Sequence, residues 1–133
     1  MGFSLFRKVR FGYHPEPDGL ADPGEIVWAW VPYEDDPSQG KDRPVLVVGT
    51  DGDLLLALQM TSKDHDRDAR QEASVGRYWM DIGVGDWDPH RRPSEVRLNR
   101  LLKLRPADVR REGAVLPRPL FESVVSAARA YLS

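Results

Sequence analysis

Residues 23–62, PGEIVWAWVPYEDDPSQGKDRPVLVVGTDGDLLLALQMTS, decide how the rest of the chain is read. Glu25–Val31 and Pro44–Val48 are rich in β-branched and aromatic residues, which suit a pleated surface and predict two strands. Between them, Pro32–Asp42 reads as a long acidic loop supplied with proline and glycine, of the kind that carries function. Asp51-Gly52 separates two apolar runs, a strong hairpin signal. Leu54–Gln59 is the returning strand, closed by Met60-Thr61-Ser62. Such a hairpin places Arg43, at the head of its first strand, at the same end as Thr61 and Ser62. A guanidinium and two hydroxyls are brought together by backbone pairing alone.

The remaining chain bounds the setting of that hairpin. At 133 residues it has room for one core, and with 30% charged and 41% hydrophobic residues it has the composition of a folded, surface-rich domain. Cysteine is absent, which excludes disulfides and thiolate metal sites and fits a reducing, cytoplasmic location. No apolar run approaches the roughly 20 residues of a membrane span. MGFSLFRKVR carries charge without a sustained apolar stretch, so a secretory leader is not expected. Charge is unevenly placed. Arg91–Glu112 holds eight basic against three acidic residues, a surplus of five in a chain whose net charge is −2, so the remainder carries −7. A basic stripe on an acidic body suits an anionic ligand or, equally, a solvated surface.

Residues 1–22 read as an N-terminal arm, with Phe3, Leu5, Phe6 and Phe11 available for docking and a turn-rich linker over His14–Gly19. Residues 23–133 form the domain. Its first strand is apolar on both faces, so both are expected to be covered, with Trp28 and Trp30 in the core or a dimer interface. The polar segment after Ser62 reads as an exposed loop or short helix. Arg77–Ile82 and Glu95–Leu104 are the fourth and fifth strands, joined by the turn-rich Gly83–Pro93. Pro106–Val109 is a single helical turn. After Leu116-Pro117, Leu120, Phe121, Val124, Val125, Ala128 and Leu132 recur at helical spacing. The expected fold is mainly β, an SH3-like small barrel of about five to seven strands with a C-terminal helix.

The order of GEIVW, the loop ending Gly-Lys-Asp-Arg-Pro, PVLVVG, the terminal MTS and, later, SEVRLNRLLKL resembles the PemK/MazF toxins of type II toxin–antitoxin pairs. The resemblance covers about residues 23–131 and is strongest over Gly24–Ser62. It implies a metal-independent endoribonuclease that cuts single-stranded RNA without a cofactor. It also implies a homodimer with RNA in a groove across the interface, and an antitoxin whose disordered tail covers that groove. It gives Arg43 a catalytic role and Thr61 and Ser62 contacts to the phosphate. Arg92 falls near a basic residue that acts as acid or base in some members, and Arg97 on a recurring strand arginine that serves RNA or a structural ion pair. Several members carry a glutamate a few residues before Arg-Pro. Here Ser38 and then Gln39 stand there, so either Asp36 or another group substitutes, or general-base catalysis is weakened.

The chemistry asks for these residue types. RNA cleavage by the ribose 2′-hydroxyl needs proton removal, stabilisation of a phosphorane that gains negative charge, and protonation of the departing 5′-oxygen. The planar fork of Arg43 matches phosphate oxygens, and an arginine stays protonated, so Arg92 is a stabiliser rather than a base. Of the three histidines (His14, His65, His90), only His90 lies beside basic residues, where it would aid leaving-group protonation. Lys41, Arg91 and Arg97 are candidate RNA-binding cations, and Trp87 beside the basic loop is the candidate stacking platform. Glu34-Asp35-Asp36 is a run on a loop and makes no metal site. Two rival readings are a gyrase-inhibiting toxin that works through the C-terminal helix of the same barrel, and a non-catalytic binding module.

Overall fold

The computed structural model describes residues 9–11 (backbone), 21–62, 72, 74–110 and 114–132. Its strands are β1 (Val9–Phe11), β2 (Ile26–Pro32), β3 (Gly40–Asp51), β4 (Leu54–Thr61), β5 (Trp79–Gly83), β6 (Ser94–Leu104) and β7 (Val109–Arg110). A short 3₁₀ turn, Pro106–Asp108, precedes β7, and helix α1 spans Arg118–Leu132. All pairings are antiparallel, in the order β5-β6-β4-β3-β2-β7, with β1 beside the far end of β3. The sheet does not close on itself, but its fold is barrel-like and mainly β, with the C-terminal helix the sequence calls for. Among the described residues no helix is long and apolar enough to cross a membrane.

Alternation along the strands builds a core on each face of the sheet. Leu46 and Val48 of β3 and Leu56, Leu58 and Met60 of β4 face α1, whose Phe121, Val124 and Ala128 are buried against them. Val45 and Val47 of β3, Leu55 and Ala57 of β4, and Val27, Ala29 and Val31 of β2 form a second apolar cluster. Ala21 and Leu102 of β6 belong to that cluster, and Leu104 of β6 and Val109 of β7 pack against it. These side chains are nearly inaccessible, so the sheet must curl over them. The outer face of β2 is less covered than its composition suggests: Trp30 is 58% exposed. Its indole lies over Gly40, where an added Cβ would come within 2.8 Å of the ring nitrogen.

Two boundaries differ from the sequence expectation. The acidic loop is only Tyr33–Gln39, because β2 continues to Pro32 and β3 begins at Gly40. Lys41, Asp42 and Arg43 pair with Val31, Trp30 and Ala29, so Arg43 lies within the strand and not at its head. Lys41-Asp42-Arg43 has little strand propensity, and it is the partner strand that holds it extended. The hairpin turn is Gly52-Asp53, with Gly52 at φ 61°, a left-handed conformation that glycine adopts without a Cβ clash. The arm supplies β1, paired with Gly49–Asp51. Phe3, Leu5, Phe6 and the linker at 14–19 lie outside the described residues.

The packing of α1 gives a direct stability test. Phe121→Ala empties a fully buried site between helix and sheet and is expected to cost about 3–5 kcal/mol. Urea unfolding of the variant should show a lower midpoint at an unchanged slope; a loss under about 1 kcal/mol would mean that the helix does not pack as described.

Candidate active site

Beyond Ala57 the inner face of β4 turns polar: Gln59 and then Thr61 follow Leu55 and Ala57 at strand spacing. The same happens on β3, where Arg43 precedes Val45. The β3–β4 ladder ends at the pair Val45–Gln59, and Arg43 and Thr61 each lie two residues beyond it on their strands. Both line an open cleft of about 310 Å³ at the polar end of the curled face. Val31, Pro32 and the Tyr33–Asp35 segment form one wall, and Trp79, Arg97 and Arg100, with Glu72 and Arg77, form the other. The hairpin therefore brings the guanidinium and one hydroxyl to a shared site. Ser62 is the next residue along the strand and is not among the cleft's lining residues.

The second wall comes from a register break. Between the pairs Leu58–Leu101 and Met60–Val96, two steps on β4 face five steps on β6. The surplus backbone of residues 97–100 bends toward the cleft, as bulges do. Arg97 is 3% exposed, and each of its three guanidinium nitrogens donates a hydrogen bond. Nη1 and Nη2 donate to the Glu34 carboxylate at 2.7 and 3.2 Å, and Nε donates to Asn99 Oδ1 at 2.6 Å. Arg100 donates to Gln59 Oε1 at 3.0 Å and to the Pro32 carbonyl at 2.7 Å. These two arginines tie β6 to the start of the acidic loop. Of the two roles open to Arg97 from sequence, an ion pair is the one observed.

Electrostatics follow from this clamp. The Arg97 hydrogen bonds hold the Glu34 carboxyl below its ordinary value against the opposing effect of burial, and the charges of Arg97, Arg100 and Arg77 add to them. Burial lowers the Arg100 pKa, and the nearby positive charges of Arg97 and Arg43 add to that while Glu34 opposes it. Glu72 accepts from Arg77 at 2.8 Å and from the Trp79 indole at 3.0 Å. Arg43 differs from its neighbours. Among the described residues its guanidinium makes no hydrogen bond or ion pair, and it is half-buried at the cleft.

The loop of residues 84–93 does not reach this cleft. Arg92 is bonded to Asp88 at 2.9 Å, Arg91 to Asp86 at 2.7 Å, and His90 is exposed with its amide on Asp88. Lys41 is exposed on β3, also outside the cleft. Trp87 corrects the sequence expectation. It is 4% exposed, part of the core beneath α1, with Nε1 donating to Ser94 Oγ at 2.9 Å. Its basic neighbours suggested a surface ring, but the tight turn folds it inward over Gly85, so that only an edge borders the depression it shares with Trp28 and Arg110. His14 and His65 lie outside the described residues.

The basic stripe is likewise redistributed. Arg91, Arg92, Arg97, Lys103, Arg105 and Arg110 each pair with a carboxylate, mostly from the acidic remainder of the chain. Asn99, Gln59, Trp79, Glu72 and Arg77 were not singled out from sequence, while Glu34 was read only as part of an acidic run and Arg100 only as part of the basic stripe. Their convergence depends on the β6 register break, which no local pattern announces.

A pH dependence follows from the two depressed carboxyls. Burial pushes the Asp88 pKa up, but bonds from Arg92 and the His90 amide, with their charges, more than reverse it, so the folded value is low. A folded pKa below the unfolded one contributes stability that is full above the unfolded value and is lost as pH falls through the folded value. Stability should therefore decline from about pH 5 downward, and the decline should be shallower in Asp88→Asn and Glu34→Gln, read as urea midpoints across pH. An unchanged acid limb in both variants would show that neither pair contributes.

Compared one by one with curated proteins, the chain finds no significant match. The family model for the PemK-like, MazF-like toxin of type II toxin–antitoxin systems matches residues 22–132. That span contains β2–β7, α1 and every residue described at the cleft, so the chain belongs to this family of toxins.

Proposed function

We propose that this toxin is a cytoplasmic, metal-independent endoribonuclease that cleaves single-stranded mRNA at the cleft between β3, β4 and β6, and that it works as a homodimer. Family membership implies an antitoxin partner, and the disordered tail of that antitoxin would compete with RNA for the same cleft. The observation that carries the reading is Arg43, a guanidinium with no hydrogen bond or ion pair among the described residues, in the cleft that Thr61 also lines.

In this reading the Arg43 fork and the Thr61 hydroxyl hold the non-bridging oxygens of the scissile phosphate. They stabilise the charge that builds as the 2′-oxygen bonds to phosphorus. Removal of the 2′-hydroxyl proton falls to Asp35. Glu34 and Glu72 are held by arginines, whereas the Asp35 carboxylate lines the cleft without such a bond among the described residues. The 5′-oxygen departs as its bond to phosphorus breaks and takes a proton from solvent at the open mouth. The products are a 2′,3′-cyclic phosphate and a 5′-hydroxyl.

Antitoxin-free protein in EDTA should cut a long single-stranded RNA at defined sites. Arg43→Ala should lower the rate by at least 100-fold, on the scale of losing one preorganised charge-stabilising donor. Asp35→Asn should reduce turnover with little change in RNA affinity, and Arg92→Ala should leave cleavage within a few-fold of wild type. Wild-type protein that leaves RNA intact would overturn the nuclease and bring the gyrase-inhibiting and non-catalytic readings forward.

A further inference from the structure

We propose that Trp79 is the platform on which the cleft stacks a nucleobase of its RNA, and so a residue that sets substrate affinity and register. The inference rests on the nuclease reading only in taking single-stranded RNA as the occupant. Trp79 is the tryptophan that lines the Arg43–Thr61 cleft, and it remains partly exposed there. The other three are placed elsewhere. Trp87 is in the core, Trp30 lies over Gly40 on the hairpin, and Trp28 faces a separate depression with Arg110 and Asp42.

The ring is also held in one orientation. Its Nε1 donates to Glu72 Oε1 at 3.0 Å, and Glu72 is itself gripped by Arg77 at two guanidinium nitrogens. The Arg97 guanidinium carbon lies 6.0 Å from the ring centroid, within cation–π range. Arg97 in turn is locked by Glu34 and Asn99. Asn99 Oδ1 also accepts from the Tyr78 amide at 3.2 Å, fixing the backbone just before Trp79. An indole fixed by neighbours on two elements loses little freedom when a base settles on it, which is what a preorganised platform needs. Stacking is tolerant of base identity, so this site fixes which nucleotide sits beside the scissile phosphate more than which base it is.

The test separates the platform from the chemistry by measuring binding without turnover. A fluorescein-labelled single-stranded RNA of mixed sequence, made uncleavable by 2′-deoxy substitution, is titrated in EDTA with wild type, Trp79→Phe and Trp79→Ala. The titrations are repeated with an abasic residue scanned through the RNA. Trp79→Ala is expected to weaken binding roughly 5- to 100-fold, and Trp79→Phe only a few-fold. At one position the abasic RNA should cost wild type a similar factor and cost Trp79→Ala almost nothing further. A structural role for Trp79 would not produce that coupling.

Penalties that multiply independently at every position would overturn the platform, and so would equal losses in the Phe and Ala variants. Cleavage by wild type with independent penalties leaves the nuclease standing and removes the platform. Coupling without cleavage by wild type on ribo-substrate leaves the platform and removes the nuclease. RNA that wild type does not bind removes both. Thermal melting of each variant identifies misfolding, and Trp79→Phe then carries the comparison.

Discussion

The constraint on which the rest of this structure depends is the alternation of β3, a strand of twelve residues that is paired along its length. β2 and then β1 flank one side of it and β4 the other. Its even-numbered Leu46 and Val48 bury against the helix, and its odd-numbered Val45 and Val47 bury inside the curl of the sheet. Arg43 is in phase with the second set. A slip of one residue would send Val45 and Val47 to the wrong core and take the guanidinium out of the cleft. The apolar packing of both faces thus also fixes where the positive charge sits. Fold and candidate site share one determinant.

The charges tell a complementary story. A surplus of basic residues in one segment suggested a surface field for an anion, and the structure uses most of that surplus internally. Six of the cations meet carboxylates, and several of these pairs are exposed, where each contributes little to stability. What distinguishes Arg43 from the other cleft arginines is that, among the described residues, its guanidinium makes no hydrogen bond or ion pair. Arg43 lines the same cleft as Arg97 and Arg100, and in the proposed reading it is the group that would meet the phosphate.

Much of this was legible because strand pattern and turn chemistry act over short range. The β3–β4 hairpin, the final helix and the common end of Arg43 and Thr61 follow from period-two alternation and one Gly turn. The opposite wall was not legible, since it depends on how many residues of β6 oppose Met60 and Leu58. That is a long-range property of pairing, and a sequence read locally contains no mark of it. Trp87 and Trp79 illustrate the same limit. Both stand near arginines in sequence, yet one is folded into the core by a tight turn and the other is carried to the cleft by β5. Neighbours in sequence supplied the misleading signal for Trp87, and sheet position decided the outcome.

The same logic accounts for the carboxylates. Ser38 stands where several relatives carry a glutamate, but it is exposed and bonded to Asp36 through its hydroxyl at 2.6 Å. Asp36 also receives the Ser38 amide, and its carbonyl accepts from the Gln39 amide, so it closes a self-contained turn away from the cleft. The loop instead delivers carboxylates at its beginning, where Glu34 is clamped by Arg97 and Asp35 is left beside it. Clamping Glu34 lowers its pKa and weakens it as a base, while anchoring the loop so that Asp35 keeps a defined place. An acidic residue displaced along the loop is therefore compatible with the same chemistry, provided the arginine behind it fixes the backbone. In the proposed reading the Arg97–Glu34 ion pair does the positioning and the adjacent Asp35 carboxylate would take the proton.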